Sequence, residues 1–580
     1  YQDALRKYPD SFELHKSTGR LYAGLVRFQE AKDSLEPVLA RNTSDAEVAY
    51  YLGLAQDGLG ANRDARASYE AAARLPVFRA PAELRLAELS AREGNLNQAE
   101  SYLRLASEAA PDDLRTAEEL SAVLRVEGQQ ENSRKFAQQW LARFPDSYFL
   151  LEQIGRPDLR HLANDTQRVL NIASEYMRLG MYSQAIQVLT RDYPAASGDE
   201  SEPGQLPPSK HPLVAYYAAY CQQKLHGSAT FDKAAKLPTE YVFPSRAEDL
   251  EVLSAALKSN PHDASAHYLI GTLYFAKGLA DQALAAWQLA RQLNPQIPVL
   301  HAGLGRALLH IKDKPEEALD VFQEGLRTDA HNLELYRGID QTLSILQKPA
   351  QNRVAALQRY PDLDHMPTPL TYELILNLAE AGEFDKGEAI FHNRFFQREE
   401  GGTNVRQVWL EVELQKALSL ARHAHCSEAV NIADHIGQPV PDLPFTHDGL
   451  QPFLNSARFN YLLGTTYKAC NFPEKAQSHF RQAAQISNLN EEIWSWKASQ
   501  ELPNVDHSSA RQKLEAALDR VRDDPASDSA TGRWLYHAGM LHRELGNTQQ
   551  ANKEFRDALL QPDQMMTYHL TRLALAGNQP

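Results

Sequence analysis

Small and apolar side chains recur along the chain in a fixed register that describes pairs of helices. The stretch ASAHYLIGTLYFAKGLADQALAAWQLARQLNP shows it in full, with Gly271, Tyr274, Ala283, Trp287, Ala290 and Pro295. Counted within this unit, a small residue stands at position 8, Ala at 20, an aromatic or Leu at 24, Ala at 27 and Pro at 32. The register begins at Gly19, Ala31 and Leu35 and returns 34 residues later at Gly53, Ala65, Tyr69 and Ala72. After another 34 it falls on Ala87, Ala99, Leu103, Ala106 and Pro111, and a degenerate unit ends at Pro145. Further units carry Ala173, Tyr176, Ala185 and Leu189, then Gly305, Ala318 and Phe322 with one inserted residue. Gly464, Tyr467, Ala476, Phe480 and Ala483, and finally Gly539, Ala551, Phe555 and Ala558, extend it through the C-terminal third.

A period of this length describes stacked supersecondary units that bury a continuous core only together. Two antiparallel helices approach closely where the facing residues are small, the aromatic at 24 fills the groove toward the next pair, and the proline stops the second helix. These residues resemble the tetratricopeptide repeat. That resemblance implies an all-α fold, a right-handed α-solenoid of helix-turn-helix repeats. Carried backwards, the phase puts Pro9 at position 32, Ala4 at 27 and Tyr1 at 24. The chain is therefore expected to start inside a second helix, with a first helix and further protein upstream. The expected organisation is an N-terminal array over 1–160, a related unit over 161–262, a central array over 263–435, a proline-rich joint over 436–453 and a C-terminal array over 454–580.

Breaks in the period are where loops or grafted sites are expected, because repeats accept insertions on one face without losing the stacked core. Residues 195–212, rich in Pro, Gly, Ser and acid, read as an exposed loop. The following LVAYYAAYCQQKL reads as a helix whose Tyr216, Tyr217 and Tyr220 belong to the core. Residues 391–409, FHNRFFQREEGGTNVRQVW, depart from every repeat requirement. They collect Asn393, Arg394, Arg398, Glu399, Glu400, Asn404, Arg406 and Trp409 beside Phe395, Phe396, Gly401 and Gly402. Arginine forks bind carboxylates or hydroxyls, asparagine donates and accepts, and aromatic faces stack on rings, so this set suits a polar ligand. The same residues also suit a long inter-repeat turn whose charges pair with one another and whose phenylalanines plug the core. In the best units, positions 5, 9 and 12 of the first helix, Tyr268, Thr272 and Phe275, then Tyr461, Thr465 and Lys468, are expected to line a concave groove.

Against 60 Lys and Arg stand 75 Asp and Glu, a formal charge of −15, which disfavours nucleic acid and anionic lipid as bulk-charge partners. No run of eighteen apolar residues offers a membrane span. The first ten residues lack the apolar stretch of a signal peptide, and with the N-terminus inside a repeat the compartment stays open. Cys221, Cys426 and Cys470 read as too few and too far apart for a disulfide framework or a CxxC zinc site. HExxH, GxSxG and P-loop motifs do not occur, and Gly303 with Gly305 lies in a repeat helix with no strand before it. His423, His425, Cys426 and His435 cluster in sequence, but their register spreads them over a turn and a second helix. No catalytic residue, cofactor or metal site is expected in this chain.

Beyond the repeat, residues 169–484, with NIASEYMRLGMYSQAIQVLTRDYP, HPLVAYYAAYC, EYVFPS, the 391–409 segment and SARFNYLLG, resemble a bacterial group. In it a galactose-mutarotase-like β-sandwich domain of unknown function precedes a long tetratricopeptide array. The resemblance implies a carbohydrate connection. Two functions follow: an interaction scaffold holding a protein, another copy of the chain or its own upstream domain, and the accessory half of a carbohydrate-binding or carbohydrate-active protein whose ligand is a glycan.

Overall fold

Several first helices of the array start on a residue whose side chain satisfies one of the helix's orphan amides. Asp45, Asp113 and Asp263 stand in extended backbone and accept from the amides of Val48, Thr116 and Ala266. The turn into the second helix passes through left-handed backbone, as at Gly94 (φ 82°) and Gly278 (φ 72°), where a side chain would be strained. Second helices Leu96–Ala109 and Ala280–Leu293 end just before Pro111 and Pro295, which cannot continue them.

A computed structural model of the chain describes residues 1–195, 206–392, 394–397, 403–445, 449–487, 491–503, 507–523, 531–561 and 565–577, and among them all regular structure is helical. No helix among these residues is long and apolar enough to cross a membrane. The helices form an α-solenoid organised as two units, Tyr1–Ile297 and Pro298–Pro580.

In the first unit, Ala46–Gly58, Pro76–Arg92, Leu114–Val126 and Thr166–Arg178 are first helices, and successive ones touch as well as packing on their own second helices. They make the inner wall. Tyr216, Tyr217 and Tyr220 on Pro212–His226 are buried, and the Tyr216 and Tyr217 hydroxyls donate to the Asp263 carboxylate (2.9 Å) and to Asp249 (2.6 Å).

In the second unit, Leu300–His310, Leu333–Ile345, Thr368–Glu380, Val405–Arg422, Ala457–Ala469, Glu492–Gln500 and Thr531–Glu544 are the first helices. Its last two helices return to its early ones: Thr548–Leu560 packs on Leu333–Ile345, and Met565–Leu575 on Thr368–Glu380. Gln341 donates to the Leu559 carbonyl at 2.7 Å and the His310 ring to that of Leu560 at 2.8 Å.

The period has a direct steric cause. A Cβ placed on Gly53, Gly271, Gly305, Gly464 or Gly539 would come within 2.4–2.6 Å of the ring of Tyr69, Trp287, Phe322, Phe480 or Phe555. Position 24 thus presses on position 8 of its own pair. A methyl at Gly305 would favour the helix by up to about 1 kcal/mol through propensity, but overpacking on Phe322 costs about 1–3 kcal/mol. Gly305→Ala is therefore expected to lower the stability measured by urea unfolding, and Phe322→Leu in the same chain to recover part of the loss.

The cysteines correct the sequence reading. Cys426 and Cys470, 44 residues apart, form a disulfide with their Cα atoms 5.3 Å from each other. The helix turn before Cys426–His435 lies beside the end of Ala457–Ala469, so distance along the chain misjudged distance in space. Cys221 is free and buried, its thiol pushed up to about 12 by burial.

Candidate functional site

The inner wall of the first unit is ionic. Glu88, on Pro76–Arg92, is fully buried and takes Arg85 at 2.8 Å and Arg115 from Leu114–Val126. The Arg115 Nε also stands 3.2 Å from Glu119 and 3.3 Å from Glu175 of Thr166–Arg178. Arg178 pairs with Glu175 and reaches Glu248 at 2.6 Å, while Arg92 donates to Asp57 (2.6 Å) and to the Arg178 carbonyl (3.1 Å). Burial alone would raise the Glu88 carboxyl, but the surrounding arginines bring it down to about 2. Its neighbour Glu119 goes the other way: burial and then the Glu88 charge hold its pKa well above the carboxylate range. One carboxylate anchors the guanidinium groups, and the adjacent carboxyl is pushed toward its neutral form.

Beside this cluster lies a groove of about 520 Å³ between Leu114–Val126, Tyr148–Gln153 and Thr166–Arg178. Its walls include Glu118, Arg143, Ser147, Tyr148, Arg168 and Asn171. The Arg168 guanidinium lies 4.4 Å over the Tyr148 ring, and Arg143 reaches Asp112 at 2.5 Å. Ser147 donates to Glu118 at 2.6 Å, yet burial, helped by the Glu175 charge, pushes the Glu118 carboxyl up to about 7. A carboxyl whose folded-state pKa lies above its ordinary value binds its proton more tightly when folded. Stability is then lost as pH rises from about 4.5 to about 7. Glu118→Gln keeps an acceptor for Ser147 and removes the charge. It is expected to flatten the pH dependence of unfolding between pH 4 and pH 8 by on the order of 2 kcal/mol, read from urea titrations at both pH values.

The second unit carries a larger network, centred on Met565–Leu575. His569, with no exposed surface, places Nδ1 2.7 Å from Glu380 and Nε2 3.2 Å from Glu411. Burial would lower its pKa, but hydrogen bonds to the two glutamates raise it, so the ring is held as a cation. Arg572 donates to Glu380 at 3.0 Å and to Asn377 at 3.3 Å. Glu380 also receives Arg353, and Glu411 receives Arg458 at 2.5 and 2.8 Å. Both carboxyls, although buried, are held below their ordinary range, by Arg572 and Arg353 at Glu380 and by Arg458 at Glu411.

Only part of the polar segment singled out in the sequence lies among the described residues. Asn393, Arg398, Glu399 and Glu400 lie outside the described residues. Arg394 donates to the carbonyls of Leu363 and Met366 at 3.0 and 2.9 Å. Asn404 caps Val405–Arg422 by accepting from the Arg406 amide, and the Arg406 guanidinium sits 5.4 Å from the Phe445 ring centre. Trp409 is buried edge-on to Phe391, while Phe395 is 86% exposed. Of the groove candidates, Tyr268 is buried and Phe275 lies against Trp287 at 5.2 Å. Thr272 and Thr465 donate back to the carbonyls of Tyr268 and Tyr461. Tyr461 packs between Phe480 and Trp494, and Lys468 pairs with Glu501. His423 and His435 bond to carbonyls in their own helices, and the Cys426 sulfur is in the disulfide. Among the described residues no three metal-ligating side chains converge. The ionic inner walls escaped the sequence reading. Their signal was present as charged residues flanking the small position of first helices, in LRLAELSAR, LRTAEELSAV and LILNLAE.

The tetratricopeptide repeat family matches residues 17–83 and 250–298. Among solved structures, the chain is similar to YrrB, described as a TPR protein with an unusual peptide-binding site. The two are 19% identical over 43% of this chain and 97% of that one, with a TM-score of 0.26. It is also similar to yeast Tom70, at 14% identity over 92% and 95% of the two chains with a TM-score of 0.23. The structure of Naa15/Naa10 bound to HypK-THB aligns at 12% identity over 100% of this chain and 91% of that one, with a TM-score of 0.23. No curated protein matches the chain in sequence.

Proposed function

We propose that this tetratricopeptide-repeat chain is a protein-interaction scaffold whose Tyr1–Ile297 unit takes a peptide segment of a partner on its inner wall. The observation that carries the reading is the 520 Å³ groove, which joins an aromatic face, two partly exposed guanidinium groups and amide and hydroxyl groups beside a buried ionic anchor. Extended or helical peptides are recognised by such walls through a few pockets and main-chain hydrogen bonds. Arg143 and Arg168 suit an acidic or carbonyl-rich segment, and the Asn171 amide nitrogen can donate to a main chain while its oxygen accepts from Arg246.

The test is selection of peptides from a random display library on the full chain, followed by affinity measurements on the winners. Arg168→Glu and Asn171→Ala are expected to weaken each selected peptide at least ten-fold while leaving the melting curve in place. A library that yields no peptide, or peptides indifferent to both substitutions, overturns the reading. A second reading, the accessory half of a carbohydrate-binding protein acting through Arg394, Asn404 and Arg406, is supported by Phe395, whose exposed ring beside Arg394 would suit stacking on a sugar. It is tested by a glycan array on the same chain, with Arg406→Ala as control; binding that Arg406→Ala abolishes would favour it, and an empty array would remove it.

A further inference from the structure

The Met565–Leu575 helix is held in the Pro298–Pro580 unit by ions as well as by its buried Met566, Leu573 and Ala574. Its two cations, His569 and Arg572, engage carboxylates presented by successive first helices, Glu380 from Thr368–Glu380 and Glu411 from Val405–Arg422, with Asp340 of Leu333–Ile345 standing 3.8 Å from Arg572. On either flank the groove is open. A cavity of about 410 Å³ lies on the Arg572 side, with Arg337, Glu373 and Tyr568 in its wall. Another, of about 480 Å³, lies beside Met566 and Leu570, with Arg458 and Trp494 across from them. Both are clefts open to solvent, so the flanks of this helix are not fully covered by the helices around it.

Two buried polar atoms face these open flanks without a partner among the described residues. Glu373, 7% exposed and lining the first cavity, has an Oε2 with no hydrogen-bond partner among the described residues. Arg458, lining the second, has an Nε in the same state. Buried donors and acceptors are mostly satisfied in folded proteins, and these two stand where a docked group could meet them. The groove is wider than its present occupant and keeps an acceptor and a donor that this helix does not use.

We infer that the inner face formed by Asp340, Glu373, Glu380 and Glu411 is a docking groove for a helix of another protein that carries two cationic side chains three residues apart, and that Met565–Leu575 occupies it in cis as a placeholder. The inference rests on the scaffold reading but concerns the other unit. Charge complementarity selects the partner: the carboxylates Asp340, Glu380 and Glu411 come from three consecutive first helices, while burial pushes the Glu373 carboxyl up to about 8, and arginine in place of His569 would add a fork that suits a carboxylate better than an imidazole does. Larger apolar side chains on the flanks of such a helix would fill the two cavities. A tethered helix competes at an effective concentration on the order of millimolar, so the native chain binds a partner weakly until the tethered helix is weakened.

The test uses the full chain and a fluorescein-labelled synthetic peptide of residues 565–575 carrying His569→Arg, followed by fluorescence anisotropy. The chain with His569→Ala and Arg572→Ala is expected to bind it at least ten-fold more tightly than the native chain. A peptide with alanine at both cationic positions is expected not to bind. In the native chain, excess cationic peptide is expected to speed hydrogen–deuterium exchange of the 565–575 amides, and this arm decides the matter if the double variant does not fold. A folded double variant without the ten-fold gain, equal binding of the alanine peptide, or unchanged exchange in the native chain would overturn the inference. So would a concentration-dependent native dimer whose 565–575 amides stay protected against peptide, since the groove would then belong to a second copy. Arg168→Glu, which tests the first unit, is expected to leave this binding unchanged, so the two readings fail separately.

Discussion

Glu380→Ala is expected to destabilise the Pro298–Pro580 unit by about 3–5 kcal/mol, the range seen when one member of a buried ion network is removed. The reason is local crowding of charge. Arg353 and Arg572, both largely buried, and the fully buried His569 donate to this one carboxylate. Truncation would leave their charges without a shared counter-ion where water cannot replace it. Urea unfolding would show the loss, and hydrogen exchange would locate it, with the 565–575 amides losing protection first. Glu380→Gln keeps the shape and two acceptor sites fewer, so a smaller loss is expected. Equal stability of Glu380→Ala and the native chain would mean that the helix is held by Met566, Leu573 and Ala574 instead, the buried apolar residues on its other positions.

A comparable effect is expected at Glu88 in the first unit. Glu88→Ala removes the shared partner of Arg85 and Arg115 and is expected to cost about 3–5 kcal/mol. The companion experiment separates charge from packing. When a buried ionic group is replaced as a whole by apolar residues of similar volume, the outcome is often neutral or stabilising. Glu88→Leu together with Arg85→Leu and Arg115→Met is therefore expected to recover most of the stability lost by Glu88→Ala. The measurement is again urea unfolding of the full chain. A triple variant as unstable as Glu88→Ala would show that the arginines matter through contacts other than Glu88, such as Arg115 with Glu119 and Glu175.

The packing of each helix pair was legible in the sequence because it is local. Gly271 and Trp287 lie sixteen residues apart in the register, and Gly53 with Tyr69 repeats that separation, so the period records the contact directly. The ionic walls are not recorded that way. Glu88 meets Arg115 across a repeat boundary, and Glu380 meets His569 across 189 residues, through the curl of the array rather than through its period. The polar run at 391–409 illustrates the converse. Among its described residues, Asn404 is also a helix cap and Arg394 also satisfies two carbonyls. Cys426 and Cys470 failed for the same reason as the walls, since sequence spacing carries no information about which turn lies beside which helix end.

The return of Thr548–Leu560 and Met565–Leu575 onto early helices sets a rule about length for the second unit. An open stack can lose or gain one whole helix pair, because the glycine and its ring travel together and the neighbours still meet in register. A stack whose end is latched to its beginning cannot. Excising one pair between Arg422 and Thr531 would carry His569 and Arg572 past their carboxylates, so the number of pairs in the second unit is as constrained as the number of staves in a barrel.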